Sequence, residues 1–84
     1  GNGGFPMEAG SWGGIVRAGP GQEYARVATL AEGESITLLE NTGVYSNDYP
    51  WFKIRYRGGR EGYQWGGIVC GYGAPIEGAF ETCR

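Results

Sequence analysis

Histidine is absent from the 84-residue sequence, and this absence narrows the chemistry that the chain can perform. Histidine is the commonest general base of hydrolases, the usual partner of a catalytic serine, and the commonest ligand of zinc. The sequence has only two cysteines, so a closed four-ligand zinc site would need carboxylates for half of its ligands, which is rare. Glu32 and Glu34 lie close together, and we favour a solvated turn around Gly33 for them. We therefore predict that the chain is not an enzyme and holds no metal ion or cofactor.

A long apolar run is also missing, so the sequence predicts no membrane span. Residues 1–4 read Gly-Asn-Gly-Gly, where a signal peptide would have a basic start and an apolar stretch. Because no initiating methionine is present, we expect a mature or excised fragment. An excess of positive charge is lacking as well, since the formal net charge is −2. This charge gives no field that would concentrate polyanions, and we predict no nucleic-acid partner.

Glycine and aromatic residues are plentiful, and they favour opposite interpretations. The 18 glycines and 4 prolines approach the composition of low-complexity disorder. The 3 Trp, 6 Tyr and 3 Phe argue for order, because disordered chains are poor in such residues. A chain of this length holds one hydrophobic core. We therefore predict one domain over residues 11–73, a tail or linker over residues 1–10, and a tethered extension over residues 74–84.

Short β-favouring runs alternate with turn residues along the chain, which is typical of small sheets. The clearest strand covers residues 51–57, where apolar and basic side chains alternate with a period of two residues. Its apolar positions are Phe52, Ile54 and Tyr56, and its basic positions are Lys53, Arg55 and Arg57. Gly58 and Gly59 follow directly, so we predict a tight hairpin with positive φ at both glycines.

A basic face results from this alternation, formed by Lys53, Arg55, Arg57 and, beyond the hairpin, Arg60. Guanidinium groups pair bidentately with carboxylates, so the face is a candidate for a carboxylate-rich partner. We favour the alternative of a solvated sheet edge whose charges discourage pairing with another strand.

One internal similarity is present: Trp-Gly-Gly-Ile-Val occurs at residues 12–16 and again at residues 65–69. The match is too short for a tandem domain. We favour two equivalent strands, which would be neighbours that close a barrel, over coincidence in a glycine-rich chain.

Several motifs follow one another in the order of a known family. The first half carries Val16-Arg17-Ala18-Gly19-Pro20-Gly21, then Tyr24, Val27, Leu30 and Gly33, then Ile36-Thr37-Leu38-Leu39. The second half carries Trp51-Phe52-Lys53-Ile54, the Gly58-Gly59 hairpin and Gly62-Tyr63. From about Trp12 to Tyr72 the chain resembles bacterial SH3-like (SH3b) domains. The resemblance implies an all-β, strongly bent barrel of five or six strands and a non-catalytic binding module of an extracytoplasmic bacterial protein.

The resemblance also implies the kind of partner, namely a cell-wall peptide or glycan, or another envelope protein that the domain docks on or regulates. Residues 42–50 form an insertion relative to the family, and its aromatic residues lie among polar ones. We predict that this loop is one wall of a groove. Tyr24, in the loop that would form the other wall, is either a core residue or a groove residue. The candidate ligand-binding residues are Tyr24, Tyr45, Tyr49, Trp51 and Trp65.

Cys70 and Cys83 stand at the two ends of a segment that contains glycine and proline. In a domain this small, such a pair predicts an intrachain disulfide that tethers the extension and marks an extracytoplasmic protein. Two separate buried thiols are the alternative, which we disfavour because Cys83 lies almost at the terminus.

Overall fold

The computed structural model describes residues 4–83, and within this range the chain forms seven strands and one short 3₁₀ turn. The strands are β1 (Met7–Ser11), β2 (Gly14–Arg17), β3 (Arg26–Leu30), β4 (Ser35–Ser46), β5 (Tyr49–Tyr56), β6 (Arg60–Trp65) and β7 (Val69–Cys70). The 3₁₀ turn is Gly66–Ile68. The predicted all-β class is therefore confirmed.

All seven strands belong to one antiparallel sheet with the order β3-β2-β6-β5-β4-β1-β7, which curls into a half-barrel. The hydrophobic core takes side chains from every strand except β6. Its members are Ala9, Val16, Leu30, Ile36, Leu38, Phe52, Ile54, Tyr56 and Val69. Strand β6 instead contributes the buried amide of Gln64. Because strands β2 and β6 approach closely, a side chain at Gly62 would meet Val16.

Strand β5 follows the predicted alternation. Phe52, Ile54 and Tyr56 are buried, whereas Arg55 is exposed and Lys53 is half-buried on the other face. The turn to β6 consists of Arg57, Gly58 and Gly59, all with positive φ. The hairpin that the two glycines predict is confirmed.

Strand β1 lies partly within the segment for which the sequence predicts a tail. Met7–Gly10 pairs with Ser35–Leu38 of β4, and Gly10 and Ser11 pair with β7 on the other side. The sequence Met-Glu-Ala-Gly-Ser has no clear two-residue alternation, so nothing local indicates this pairing. Gly10 is needed there because a Cβ would lie 2.5 Å from the sulfur of Cys83.

The insertion at residues 42–50 is an extension of the β4–β5 hairpin rather than an irregular loop. Asn47 and Asp48 form its turn with φ of 47° and 75°, as the mirror-image turns of two-residue hairpins require. The pairing shifts register between Asn41 and Tyr45, where the hydroxyl of Thr42 donates to the carbonyl of Trp51 at 2.7 Å.

The repeated Trp-Gly-Gly-Ile-Val segments are neighbours but not equivalent strands, so that interpretation is wrong. Trp65 ends β6, and the residues after it form the 3₁₀ turn before Val69 enters β7. The first copy leads into β2, with positive φ at Gly13 and Gly14. The two copies meet where the backbone amide of Trp12 donates to the carbonyl of Ile68 at 2.8 Å.

The chain after β7 returns across the half-barrel and is fastened to it. Cys70 and Cys83 form the predicted disulfide, with their Cα atoms 4.9 Å apart. Gly71 pairs with Thr82 in an isolated parallel bridge. Between these residues, Ile76 and Ala79 pack against the hydrophobic core. We call residues 71–83 the C-terminal extension.

Candidate functional site

The five candidate aromatic residues differ widely in their exposure. Tyr45 is 62% exposed and Tyr24 is 43% exposed, whereas Tyr49 and Trp65 are half-buried and Trp51 is only 3% exposed. Trp51 and Trp65 are direct cross-strand partners in β5 and β6. The structure therefore brings the two tryptophans together.

Both indole N–H groups are used to hold the end of the β4–β5 hairpin. The Nε1 of Trp51 donates to the hydroxyl of Ser46 at 3.0 Å. The Nε1 of Trp65 donates to the carbonyls of Ser46 and Tyr49, at 2.7 and 3.2 Å. Because Trp51 is also almost fully buried, what the pair can offer a ligand is the ring surface of Trp65 rather than a hydrogen-bond donor.

A shallow depression of about 150 Å³ lies beside the tryptophan pair. Its lining residues are Ile15, Arg17, Gln22, Trp51, Trp65 and Ile68. Gln22 comes from the loop of residues 18–25 between β2 and β3, so one wall of the depression is this loop. Tyr24 belongs to the same loop but is not in the lining, because its ring lies over Gly19. The guanidinium of Arg17 donates to the carbonyl of Tyr24 at 3.0 Å and fixes the loop beside the depression.

Tyr49 does not line the depression and belongs to an aromatic cluster with Trp65 and the C-terminal extension. Its ring stands edge-on to Trp65 at a centroid distance of 5.5 Å and edge-on to Phe80 at 6.0 Å. The indole of Trp12 donates to the carbonyl of Phe80 at 3.3 Å. Phe80 has no signal in the sequence that marks it as a site residue, because only the course of the extension across the sheet produces this contact.

The basic residues lie on the outer surface but are not an edge. Strand β5 lies between β4 and β6 in the middle of the sheet, so the interpretation of a protective sheet edge is wrong. Lys53 and Arg55 both approach the carboxylate of Glu61, at 3.8 and 3.4 Å. The single negative charge of Glu61 thereby offsets one of these two positive charges. Arg60 is exposed at the start of β6.

Arg57 has a different environment, because it reaches the turn between β3 and β4. Its Nε donates to Glu34 at 2.8 Å and its Nη2 donates to the carbonyl of Thr29 at 3.0 Å. The hydrogen bond from Arg57, together with one from the amide of Ala31, lowers the pKa of Glu34. The same hydrogen bond raises the pKa of Arg57.

Two further features bear on the class of protein. Over residues 4–83, no helix has the length and the apolar character needed to cross a membrane. Within the described part of the chain, no three histidine, cysteine, aspartate or glutamate side chains gather into a group that would hold a metal ion.

Comparison with known proteins gives one family. The model of the bacterial SH3 domain matches residues 12–67, which extend from Trp12 through β2 to β6 and into the 3₁₀ turn. No curated protein and no solved structure matches the chain. Strand β1, strand β7 and the C-terminal extension lie wholly outside the matched range, whereas the depression beside Trp51 and Trp65 is built almost entirely from residues within it.

Proposed function

Because the chain belongs to the bacterial SH3 domain family, we propose that it is a non-catalytic binding module of a bacterial cell-envelope protein that recognises a cell-wall peptide or glycan. The family consists of binding modules, which are generally non-catalytic. The observation that carries the proposal is the depression lined by Trp51, Trp65 and Gln22.

The lining of this depression suits a ligand with both apolar and polar surface. The half-buried ring of Trp65 offers flat apolar area on which a sugar ring or a peptide side chain packs, and the almost fully buried ring of Trp51 lies beside it as its direct cross-strand partner. The amide of Gln22 and the guanidinium of Arg17 add hydrogen-bond donors at the rim. Small ligand sites commonly combine an apolar surface with a few polar groups that fix orientation.

An extracytoplasmic location forms part of the same proposal. Disulfides persist in oxidising compartments and are rare in the cytosol. The Cys70–Cys83 bond fastens the C-terminal extension, and both described cysteines take part in it. This bond supports an envelope or secreted setting for the domain.

Docking on another envelope protein is the second candidate, and the exposed edge of the sheet favours it. Strand β3 is the outermost strand at one end of the sheet, and Val27 on it is 47% exposed. Unpaired edge strands offer backbone groups to a strand from another chain. A regulatory or assembly partner would use this edge rather than the tryptophan depression.

A titration followed by NMR separates the two candidates. Soluble muropeptides, the free stem peptide and the free disaccharide are added in turn to the ¹⁵N-labelled chain. We expect chemical-shift changes at Gln22, Ile68 and the indole of Trp65 with at least one of these ligands. Shift changes at none of these residues would contradict the proposal.

Two variants test the location of binding without disturbing the core. Gln22→Ala removes an exposed amide from the lining, and we expect it to weaken binding. Val44→Ala truncates a side chain that is also exposed but lies outside the lining, and it serves as the control. Equal affinities of the two variants would place the ligand elsewhere.

A further inference from the structure

A second cavity, of about 360 Å³, lies between the N-terminal segment and the C-terminal extension. It is lined by Phe5, Met7, Glu8, Asn41, Tyr72, Ala74, Pro75, Ile76 and Glu77. All of these residues except Asn41 lie outside the range that matches the family. The cavity is therefore a feature that the terminal segments add to the domain.

One edge of strand β1 is open at this cavity. Gly10 pairs with Cys70 of β7, and continuing that register would place Tyr72 opposite Glu8. After Cys70 the chain instead moves away from β1, and Gly71 pairs with Thr82. Among the described residues, no backbone hydrogen bond joins Glu8 to the C-terminal extension.

The alternation of backbone groups along β1 shows which atoms lie at this edge. The amide of Ser11 donates to the carbonyl of Glu34, which continues the pairing with the β4 side. In an antiparallel strand the backbone groups of successive residues point to opposite sides. The amide and carbonyl of Glu8 therefore point away from β4, towards the cavity. Such a pair is what an extended peptide needs in order to add to a sheet.

The side chains around the cavity define the chemistry of an occupant. Phe5, Met7 and Ile76 supply apolar surface, and each is only partly buried. Glu8 and Glu77 are the charged residues of the lining, and both are acidic. Among the described residues, neither carboxylate has a cationic partner within salt-bridge distance. The lining therefore favours a ligand that is apolar and positively charged.

We propose that this cavity binds an extended peptide segment in which a lysine-like ammonium group is flanked by apolar side chains. The peptide adds to the open edge of β1 and exchanges hydrogen bonds with the amide and carbonyl of Glu8. Directly opposed residues in antiparallel strands share a face. The cationic residue opposite Glu8 thus lies on the same face as its carboxylate, and the flanking residues lie on the face of Met7. The site is separate from the tryptophan depression and does not depend on the function proposed for it.

An NMR titration of the full chain tests the site with defined probes. The peptide acetyl-Val-Lys-Val-amide is compared with acetyl-Val-Glu-Val-amide. We expect the lysine peptide to shift the signals of Phe5, Met7, Glu8 and Ile76, and to bind less tightly as salt is added. A lysine peptide carrying a methyl group on the lysine backbone nitrogen is expected to bind about two- to tenfold more weakly, because it cannot donate to Glu8.

Matched charge variants separate a local contact from the overall acidity of the chain. Glu77→Gln removes a carboxylate from the lining, and we expect about two- to fivefold weaker binding. Glu81→Gln removes the same charge from an exposed position of the same extension, outside the lining, and should bind as the unmodified chain does.

Four results would overturn the proposal. They are equal binding of the lysine and glutamate peptides, equal weakening by the two charge variants, shift changes confined to Trp51 and Trp65, and concentration-dependent shifts at Met7 and Ile76 without any peptide. The third would place the peptide in the tryptophan depression. The fourth would show that a second copy of the chain fills the cavity.

Discussion

Arg57 and Glu34 form a hydrogen-bonded ion pair between two turns of the sheet. The guanidinium lies in the turn between β5 and β6, and the carboxylate lies in the turn between β3 and β4, with Nε and Oε2 2.8 Å apart. The same guanidinium donates to the carbonyl of Thr29 on β3. The alternation of the sequence assigned Arg57 to a ligand-binding or protective basic face. The contact with Glu34 shows that it instead links the turn after β5 to the turn before β4.

The pH dependence of stability follows from this contact. The pKa of Glu34 is lowered in the folded chain from its usual value of 4.5. The contribution of the ionised carboxylate to the free energy of unfolding is therefore complete above that pH. The contribution is lost as the pH falls through the lowered pKa. We expect Glu34→Gln to be less stable than the unmodified chain at neutral pH and to lose less stability on acidification.

Urea unfolding at a series of pH values measures this difference. Glu32→Gln removes the same charge from the same turn, where no hydrogen bond to Arg57 is present, and should change the urea midpoint little. Parallel pH profiles for the unmodified chain and Glu34→Gln would contradict the prediction.

The disulfide is expected to be a major source of stability. Cys70 and Cys83 are 13 residues apart, and closing a loop of this size stabilises a fold by about 3 kcal/mol. Reduction, or the double variant Cys70→Ala with Cys83→Ala, should lower the melting temperature and release the C-terminal extension. NMR should then show random-coil shifts for Ile76 and Phe80 while Ile54 keeps its native shift. An unchanged melting curve under reductant would disprove the tether.

Gly10 should be coupled energetically to the disulfide. A Cβ at this position would lie 2.5 Å from the sulfur of Cys83 and 3.0 Å from that of Cys70. We expect Gly10→Ala to cost about 1–3 kcal/mol in the oxidised chain, since overpacking a closed site costs this much. The same substitution in the Cys70→Ala, Cys83→Ala background should cost clearly less, as measured by urea unfolding. An equal cost in both backgrounds would mean that contact with the sulfurs is not the reason why glycine is required at position 10.

The turn of the β4–β5 hairpin offers a stabilising substitution. Asp48 has a φ of 75°, a region in which glycine carries no steric penalty. Asn-Gly is the preferred pair for such turns. We expect Asp48→Gly to raise the free energy of unfolding by about 0.5 kcal/mol. Removing the steric penalty of the positive φ outweighs the conformational entropy that glycine adds to the unfolded chain. Asp48→Ala is the control and should be destabilising. If Asp48→Gly were the less stable of the two, the turn would not have this conformation.

The features of the fold that the sequence predicts are those with a local sequence pattern. The faces of β5 follow from a two-residue alternation, which leaves Phe52 and Ile54 inside and Arg55 outside. The Cys70–Cys83 bond follows from the spacing of the only two cysteines. Strand β1 has no such signal, because Ala9, Gly10 and Ser11 are buried by partners distant in the chain.

The candidate site was harder to predict for the same reason. Aromatic residues near a polar turn indicate a surface, but they do not tell which ring faces outwards. Tyr45 is exposed, whereas Trp51 is almost fully buried and bonded to Ser46. The cavity beside Glu8 depends on where Gly71 leaves the sheet, and no residue near Glu8 in the sequence indicates it.

The buried pair Ser11 and Gln64 provides the last prediction. The hydroxyl of Ser11 donates to Oε1 of Gln64 at 3.0 Å and accepts from the amide of Gly13 at 2.9 Å. Within residues 4–83, the Nε2 of Gln64 is buried with no hydrogen-bond partner. Ser11→Ala would leave both Oε1 and the Gly13 amide without a partner, at a cost of about 1–3 kcal/mol for each buried group.

In the Gln64→Met background only the Gly13 amide loses its partner, so we expect Ser11→Ala to cost less there. Urea unfolding of the four chains of this double-mutant cycle measures the coupling directly. Ser35→Ala, at an exposed serine bonded to Tyr72, is the control and should have the same effect in both backgrounds. If Ser11→Ala cost as much beside methionine as beside glutamine, the Ser11–Gln64 hydrogen bond would contribute nothing to the fold.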